Sequence, residues 1–361
     1  MAKVRNNVKK TGGLGQLMIP LIALGILILF NLIRDPGFFS IEMATNNDGN
    51  QVLSGNMISI IDSASALAII SMGMTLVTAA CGGQDISVGA VGAIAGAFFV
   101  KVANTSEGIT GGSFALGVIV CILGTIAFMM FNGTLVSVFR IQPMIATLIL
   151  FSCGRSIAYW INGSATPQLV SPIIQAVGKT IPGIPVPTPV FLVILMAILL
   201  SLVFKFTNLR LYTQSVGINQ GAARLNGINP TTIKLLSFVI LGVCVAVAAV
   251  IGVSRLHQLN HKTLLVDIEM DAILAVAIGG NNLGGGKFRL LGSVLGAYII
   301  QMLTTTLYAM SVSPENVKAY KAIVIIIIVV AGSPVIKSRI TAMINRIRFG
   351  KSIAAAGKGV E

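Results

Sequence analysis

Asp85 is the acid with the greatest capacity for chemistry. It stands in Gly82-Gly-Gln-Asp-Ile-Ser-Val-Gly89, between two long apolar runs, where an ionisable group is costly unless paired or wetted. Two roles are open to it. With Gln84 and Ser87 it could contact or gate a hydroxyl-rich solute, because a carboxamide offers two donors and an acceptor beside the carboxylate. Alternatively, the glycine pair ends one helix and Asp85 or Ser87 caps the next, where the helix dipole favours negative charge. Asn281 and Asn282 follow a second glycine pair, Gly279-Gly280, and join the candidates for a solute pathway.

Other groups point away from catalysis. Glu269 and Asp271 flank Met270 and read as acids at a helix start. Gly284-Gly-Gly-Lys287 looks like a phosphate loop, but Asn281 stands where the first glycine is needed and Phe288 replaces the Ser or Thr after the lysine. The chain is therefore expected to bind no nucleotide. His257 and His261 are four apart, yet no carboxylate accompanies them as in a zinc protease motif, so no metal site is expected. Nothing resembles a Ser/His/Asp or Cys/His arrangement, and an enzyme is disfavoured. Cys81, Cys121, Cys153 and Cys244 lie in or beside apolar runs without paired spacing and read as small hydrophobes.

The elements that hold these residues are apolar helices. Only 10% of the 361 residues are charged, 55% are hydrophobic, and mean hydropathy is +0.91. Apolar runs near the ~20 residues needed to cross a bilayer are predicted at 17–33, 58–80, 86–103, 114–133, 142–161, 188–206, 233–253, 271–280, 290–310 and 321–336. The fold class is an all-α integral membrane protein with about ten transmembrane helices. The segment at 271–280 is too short to cross alone and reads as a broken or re-entrant helix.

Charge orients the spans. The net charge of +14 suits nucleic acid in principle, but Lys3, Arg5, Lys9 and Lys10 precede the first span, and Lys337, Arg339, Arg346, Arg348, Lys351 and Lys358 follow the last. That is a topology signal, and no nucleic-acid partner is expected. Both termini are placed inside: a basic N-terminus at 1–16, a transmembrane domain at 17–336 and a basic tail at 337–361. The acidic loop at 34–57 and the Pro-rich loop at 162–187 then fall outside, while 207–232, Lys287 and Arg289 fall inside. The run Pro182-Gly-Ile-Pro-Val-Pro-Thr-Pro189 cannot be regular helix and reads as an extended external connector. Arg155, Trp160 and Asn162 read as interfacial anchors. Gly89, Gly92 and Gly96 have the spacing that lets membrane helices pack closely.

Within 207–232 lies a polar island, Gly217-Ile-Asn-Gln-Gly-Ala-Ala-Arg-Leu-Asn-Gly-Ile-Asn229, flanked by Lys205, Arg210 and Lys234. Its Ala222, Ala223, Arg224 and Leu225 form helix readily, and Gly227 is a stop signal. There is also an internal echo: Ala79-Ala-Cys-Gly-Gly-Gln-Asp-Ile86 against Val276-Ala-Ile-Gly-Gly-Asn-Asn-Leu283. Duplicated halves with interrupted helices are a transporter feature; parallel and inverted senses both remain open.

Three stretches carry a resemblance. The 82–89 and 217–229 segments and Glu269-Met-Asp-Ala-Ile-Leu-Ala-Val-Ala-Ile-Gly-Gly280 resemble the signature stretches of monosaccharide ABC importer permeases, in the same order. Arg140-Ile-Gln-Pro-Met-Ile-Ala-Thr-Leu-Ile-Leu150 and Lys287-Phe-Arg-Leu-Leu-Gly-Ser-Val-Leu-Gly-Ala297 are similar to the galactofuranose-type branch. The resemblance implies a cytoplasmic-membrane importer with a separate ABC ATPase that carries the ATP and Mg, an extracytoplasmic sugar-binding protein, and a second permease subunit, identical or related. It also implies that Asn219, Gly221, Ala222, Ala223, Arg224, Leu225 and Gly227 couple to the ATPase. Two departures stand out. Gln220 and Gly221 replace the family's Pro and Glu, leaving Arg224 as the charged contact, and Cys81 and Gln84 replace its Thr and Ile. The alternatives are the same architecture carrying a nucleoside, autoinducer or amino acid, and an ion-coupled secondary transporter, for which Asp85 alone is thin support.

Overall fold

The computed structural model describes residues 18–45, 51–105, 108–181 and 183–332. The basic segments expected at 1–16 and 337–361 lie outside the described residues. The elements are α1 Met18–Arg34, β1 Glu42–Thr45, β2 Gln51–Ser54, α2 Asn56–Cys81, α3 Val88–Ala103, α4 Gly111–Ser137, α5 Pro143–Ile161, α6 Pro172–Gly178, α7 Thr188–Phe206, α8 Leu209–Ile218, α9 Gln220–Leu225, α10 Pro230–Leu256, α11 Ile268–Ile278, α12 Leu290–Ala309 and α13 Pro314–Gly332. Six of them (α2, α4, α5, α7, α10 and α12) are long and apolar enough to cross a membrane. Each of the ten predicted spans overlaps a helix, the last only as far as residue 332 where the described residues end, and α11 is the short one.

The helices differ in what surrounds them. In α2, 94% of the apolar window is buried, against 22% in α4 and α7. Leu116, Ile119 and Leu123 on α4, and Ile194, Leu195, Ile198 and Leu199 on α7, point outward. An apolar surface of this extent is what a bilayer covers. At the centre, α2 and α10 approach so closely that a Cβ on Gly73 would sit 2.8 Å from the Leu241 Cα.

Cross-chain bonds sort the loops into two ends. At one end, Arg34 donates to the Ala309 carbonyl, Leu53 pairs with Pro185, Leu169 with His257, and Arg255 with Asp62. At the other, Gly286 donates to Ala79, Gln84 to Leu283, and Ile86 to the Thr147 hydroxyl. Both halves of the internal echo lie at this second end and touch one another.

Four expectations change. The loop at 34–57 contains a two-stranded antiparallel hairpin, Glu42↔Ser54 to Thr45↔Gln51, so the chain is not wholly helical; alternating side chains in Val52-Leu53 against an exposed partner gave little periodic signal. The Pro-rich run does not extend across the surface. It folds back, Thr188 donating to the Lys179 carbonyl at 2.8 Å, and Pro189 sits in the first turn of α7, where its missing N–H costs nothing. Arg155 is no interfacial anchor: it donates to the carbonyls of His261 at 2.8 Å and Leu264 at 3.0 Å. Gly89, Gly92 and Gly96 do not receive a helix backbone alone. They accept Glu269, Leu265 and Leu264, so the 257–267 segment packs along α3.

The two acids of α11 also differ from simple dipole partners. Asp271 pairs with Lys321 at 2.7 Å, and Asp267, just before the helix, pairs with Lys318. Glu269 is 4% exposed and its Oε2 has no partner. His261 stacks on Tyr159 with ring centroids 4.5 Å apart. Burial, Lys262 and Arg155 all hold its imidazole below the ordinary pKa.

Candidate functional site

The polar island folds into a knob in which each asparagine has a local task. Helix α8 buries Leu209, Thr213 and Val216 and turns Leu211 and Ile218 outward. Asn219 then breaks the helix with an extended backbone, and its Oδ1 accepts from the Ala222 N–H at 3.0 Å, capping α9. Asn226 donates to the Ala222 carbonyl at 2.8 Å. Gly227 takes a φ of 76°, and Ile228 returns its N–H to Ala223 at 3.0 Å, closing the helix end. The Asn229 Oδ1 accepts from Thr231 at 3.0 Å and starts α10.

What remains is an outward face. Ala223 is the one buried residue of α9. Arg224 projects, and Leu225 is 91% exposed with Ile218 at 74%. An apolar patch with a single guanidinium is the kind of surface another protein covers, since Arg and large apolar anchors carry most interface energy. Gly221 faces open space apart from the Asn219 Oδ1, 3.3 Å from where a Cβ would lie. The expected basic frame is partly internal: Lys234 is 7% exposed, and Arg210 stands 6.0 Å over the Phe288 ring.

The knob is joined to the bundle through glycines. A Cβ on Gly217 would collide with the Ala79 carbonyl and lie 2.6 Å from the Gly286 nitrogen. That nitrogen donates to Ala79 at 3.0 Å. Gly82, with a φ of 64°, ends α2 beside the Gly284 carbonyl. The glycines at 284–286 thus serve close backbone approach, and the amide of Gly286 is already engaged.

Around this junction lie the pathway candidates. Asp85 is fully buried, and its Oδ1 accepts from both the N–H and the hydroxyl of Ser87 at 2.6 Å. Asn132 on α4 donates to the Ser87 hydroxyl at 2.9 Å. Asp85 therefore anchors the start of α3 and ties it to α4. Gln84 donates to the Leu283 carbonyl at 2.9 Å. Asn281 accepts from the Arg289 N–H at 2.7 Å and donates to the Ser293 hydroxyl at 2.9 Å, and Ser293 accepts from Thr75 on α2 at 2.6 Å. Asn282 is exposed and bonds only within its own turn, to Gly284 and Gly285.

The candidates thus fall into two hydrogen-bonded groups, Asp85 and Ser87 with Asn132, and Asn281 with Ser293 and Thr75; Gln84 bridges the two loops through Leu283, and Asn282 stands apart. Asn132, Thr147, Thr75 and Ser293 hold these groups and were not singled out from the sequence. Their signal was one polar residue in an apolar helix, which in a chain rich in Ser and Thr does not separate from ordinary back-bonding.

Residues 56–331 match the family of branched-chain amino acid transport system permease components. The chain belongs to this family. Among its relatives, this permease is 37% identical over 318 residues to the galactofuranose transporter permease protein of Escherichia coli (strain K12), covering 88% of this chain and 89% of that one. It is 32% identical over 360 residues to the fructose import permease protein of Bifidobacterium longum, covering 98% of each chain. It is also 32% identical over 312 residues to the ribose import permease protein of E. coli (strain K12), covering 86% of this chain and 91% of that one. No solved structure matches it.

Proposed function

We propose that this permease is the membrane-spanning subunit of an ATP-driven monosaccharide importer, in which the α8–α9 knob docks a separate cytoplasmic ATPase. The observation that carries the reading is the joining of an exposed Arg224–Leu225 face to the Ala79–Gly286 junction through Gly217. The substrate class follows the relatives, which are named as galactofuranose, fructose and ribose permeases.

In this account ten segments pass through the membrane, α1 to α5, α7 and α10 to α13, the short α11 completing its pass together with the 257–267 stretch that packs along α3, with both termini and the knob in the cytoplasm. The two loops of the echo then lie on the cytoplasmic side in parallel sense. Gln84, Asp85, Ser87 and Asn281 form the inner gate of the sugar pathway, held shut by the bonds described above, and Asn282 lines its mouth. Movement of the ATPase against α9 displaces Gly217 and shifts the Gln84–Leu283 contact. The permease itself binds no nucleotide. An extracytoplasmic binding protein delivers sugar to the opposite face, and a second permease subunit completes the pathway.

The test is uptake of labelled D-galactose, D-fructose and D-ribose into proteoliposomes carrying the assembled permease with its co-purified ATPase, and with its extracytoplasmic binding protein supplied on the opposite face. ATP-dependent accumulation of one of them is expected. The family's name, a branched-chain amino acid transport system, makes leucine the control substrate, and ATP-driven leucine uptake without sugar uptake would replace the sugar reading.

A further inference from the structure

At the end of the bundle opposite the knob lies an open cavity of about 390 Å³, lined by apolar Val52, Leu53, Ile58 and Pro187 as well as by polar side chains, within the range of roughly 300–1,000 Å³ typical of small-molecule sites. Four separate parts of the chain build it. Ser54 comes from the end of β2, Ser59 and Asp62 from the first turns of α2, Lys179 and Thr180 from the link before α7, and Arg255 from the last turn of α10. Backbone contacts hold these walls. Leu53 donates to Pro185 at 3.0 Å, Thr188 donates to Lys179 at 2.8 Å, and a Cβ on Gly178 would stand 2.7 Å from the Arg255 nitrogen.

The lining has a definite chemistry. Asp62 and Arg255 pair at 2.6 Å through one carboxylate oxygen, and both side chains are only partly exposed, at 28% and 23%. The second carboxylate oxygen remains an acceptor. The hydroxyls of Ser54, Ser59 and Thr180 are each a donor and an acceptor. One carboxylate, already matched by a guanidinium, is too few for a calcium or magnesium cage. Lys179, exposed at the rim, adds a positive charge, while the mixed donors and acceptors around the Asp62–Arg255 pair, beside apolar Ile58 and Pro187, match a ligand that carries several hydroxyls and an apolar C–H face.

We propose that this cavity is an entry subsite for a neutral monosaccharide, occupied before the sugar passes toward the Asp85 gate. The proposal rests on the importer reading above. In it, the Asp62 carboxylate accepts from two adjacent sugar hydroxyls, and Ser59 and Thr180 bind the flanking ones.

Ser59→Cys and Thr180→Cys variants of the full-length permease, assembled with its ATPase, are labelled from outside with a membrane-impermeant maleimide. Labelling is repeated with millimolar D-galactose, D-fructose or D-ribose. Val170→Cys is the control, because that position is 81% exposed at the same end of the bundle. The transported sugar should slow labelling at 59 and 180 by the factor one plus [L]/Kd, about five-fold at four times Kd, and leave 170 unchanged. ATP-driven uptake with no protection at either position, or equal slowing at 170, overturns the subsite and leaves the importer intact. Protection without any ATP-driven uptake keeps the subsite and overturns the importer; loss of both overturns both.

Discussion

The backbone N–H of Gly286 donates to the carbonyl of Ala79 at 3.0 Å, and Gly217 lies against both atoms. This contact leaves no room for a side chain at the end of α8. A displacement of the knob therefore reaches the ends of α2 and α11 without an intervening flexible group.

Gly217→Ala tests that tightness. Its methyl group meets backbone atoms, which cannot rotate away, so a stability loss of about 1–3 kcal/mol is expected from overpacking. Gly221→Ala meets only the Asn219 carboxamide at 3.3 Å and should be tolerated. Thermal unfolding of the two variants in detergent distinguishes them, and equal midpoints would contradict the packing described.

Gln84→Ala removes the bond to Leu283. A net hydrogen bond contributes about 0.5–1.5 kcal/mol, so the fold should survive while the proposed inner gate loosens. The expected result is higher ATP hydrolysis in the absence of sugar. Unchanged basal hydrolysis and unchanged uptake in Gln84→Ile would remove Gln84 from the gate.

Asp85→Ala deletes the acceptor of two Ser87 bonds and strands part of the Asn132 network. Loss of the bond to the Ser87 N–H costs about 0.5–1.5 kcal/mol, and the buried hydroxyl left without its acceptor adds about 1–3 kcal/mol. Asp85→Asn keeps an oxygen for the Ser87 N–H and should recover part of the loss. A midpoint for Asp85→Asn no higher than that of Asp85→Ala would assign the effect to charge instead.

The two lysines of α13 should differ. Lys318 is 71% exposed and its pair with Asp267 is open to solvent, so Lys318→Ala should leave stability nearly unchanged. Lys321 is 16% exposed beside Asp271, and Lys321→Ala leaves a half-buried carboxylate unmatched, the costlier case. Denaturation of both variants at high and low salt would show the difference, with Lys318 the more salt-sensitive.

Much of the architecture was legible because membrane helices are read from uniform apolarity. The α7 boundaries at Thr188 and Phe206 coincide with the predicted span, and the short α11 was visible as an apolar run between Asp271 and Gly280. The knob was legible because Gly227 and three asparagines interrupt that apolarity. What stayed hidden depends on tertiary contact. Arg155 looked like an interfacial anchor, since nothing local shows that the carbonyls of His261 and Leu264 come within 3.0 Å of it. The glycines at 284–286 looked like half of a phosphate loop, and only the approach of Ala79 and Gly217 explains them. Asp85 pointed to both a cap and a gate; its bonds to Ser87 form a turn just before α3, whose N-cap Ser87 has no side-chain cap bond, and the gate is the proposal tested above.

Arg224→Glu bears on the central claim. The side chain is exposed, so stability should shift by no more than about 0.5 kcal/mol. Reversing its charge faces any acidic patch of the ATPase with repulsion, which costs several kcal/mol in an interface. The decisive measurement is therefore ATP hydrolysis and sugar uptake recorded together in proteoliposomes carrying wild-type or Arg224→Glu permease with the ATPase and the extracytoplasmic binding protein. The account predicts a folded, membrane-inserted variant whose uptake is lost and whose hydrolysis no longer responds to sugar. Uptake at the wild-type rate per ATP would contradict it.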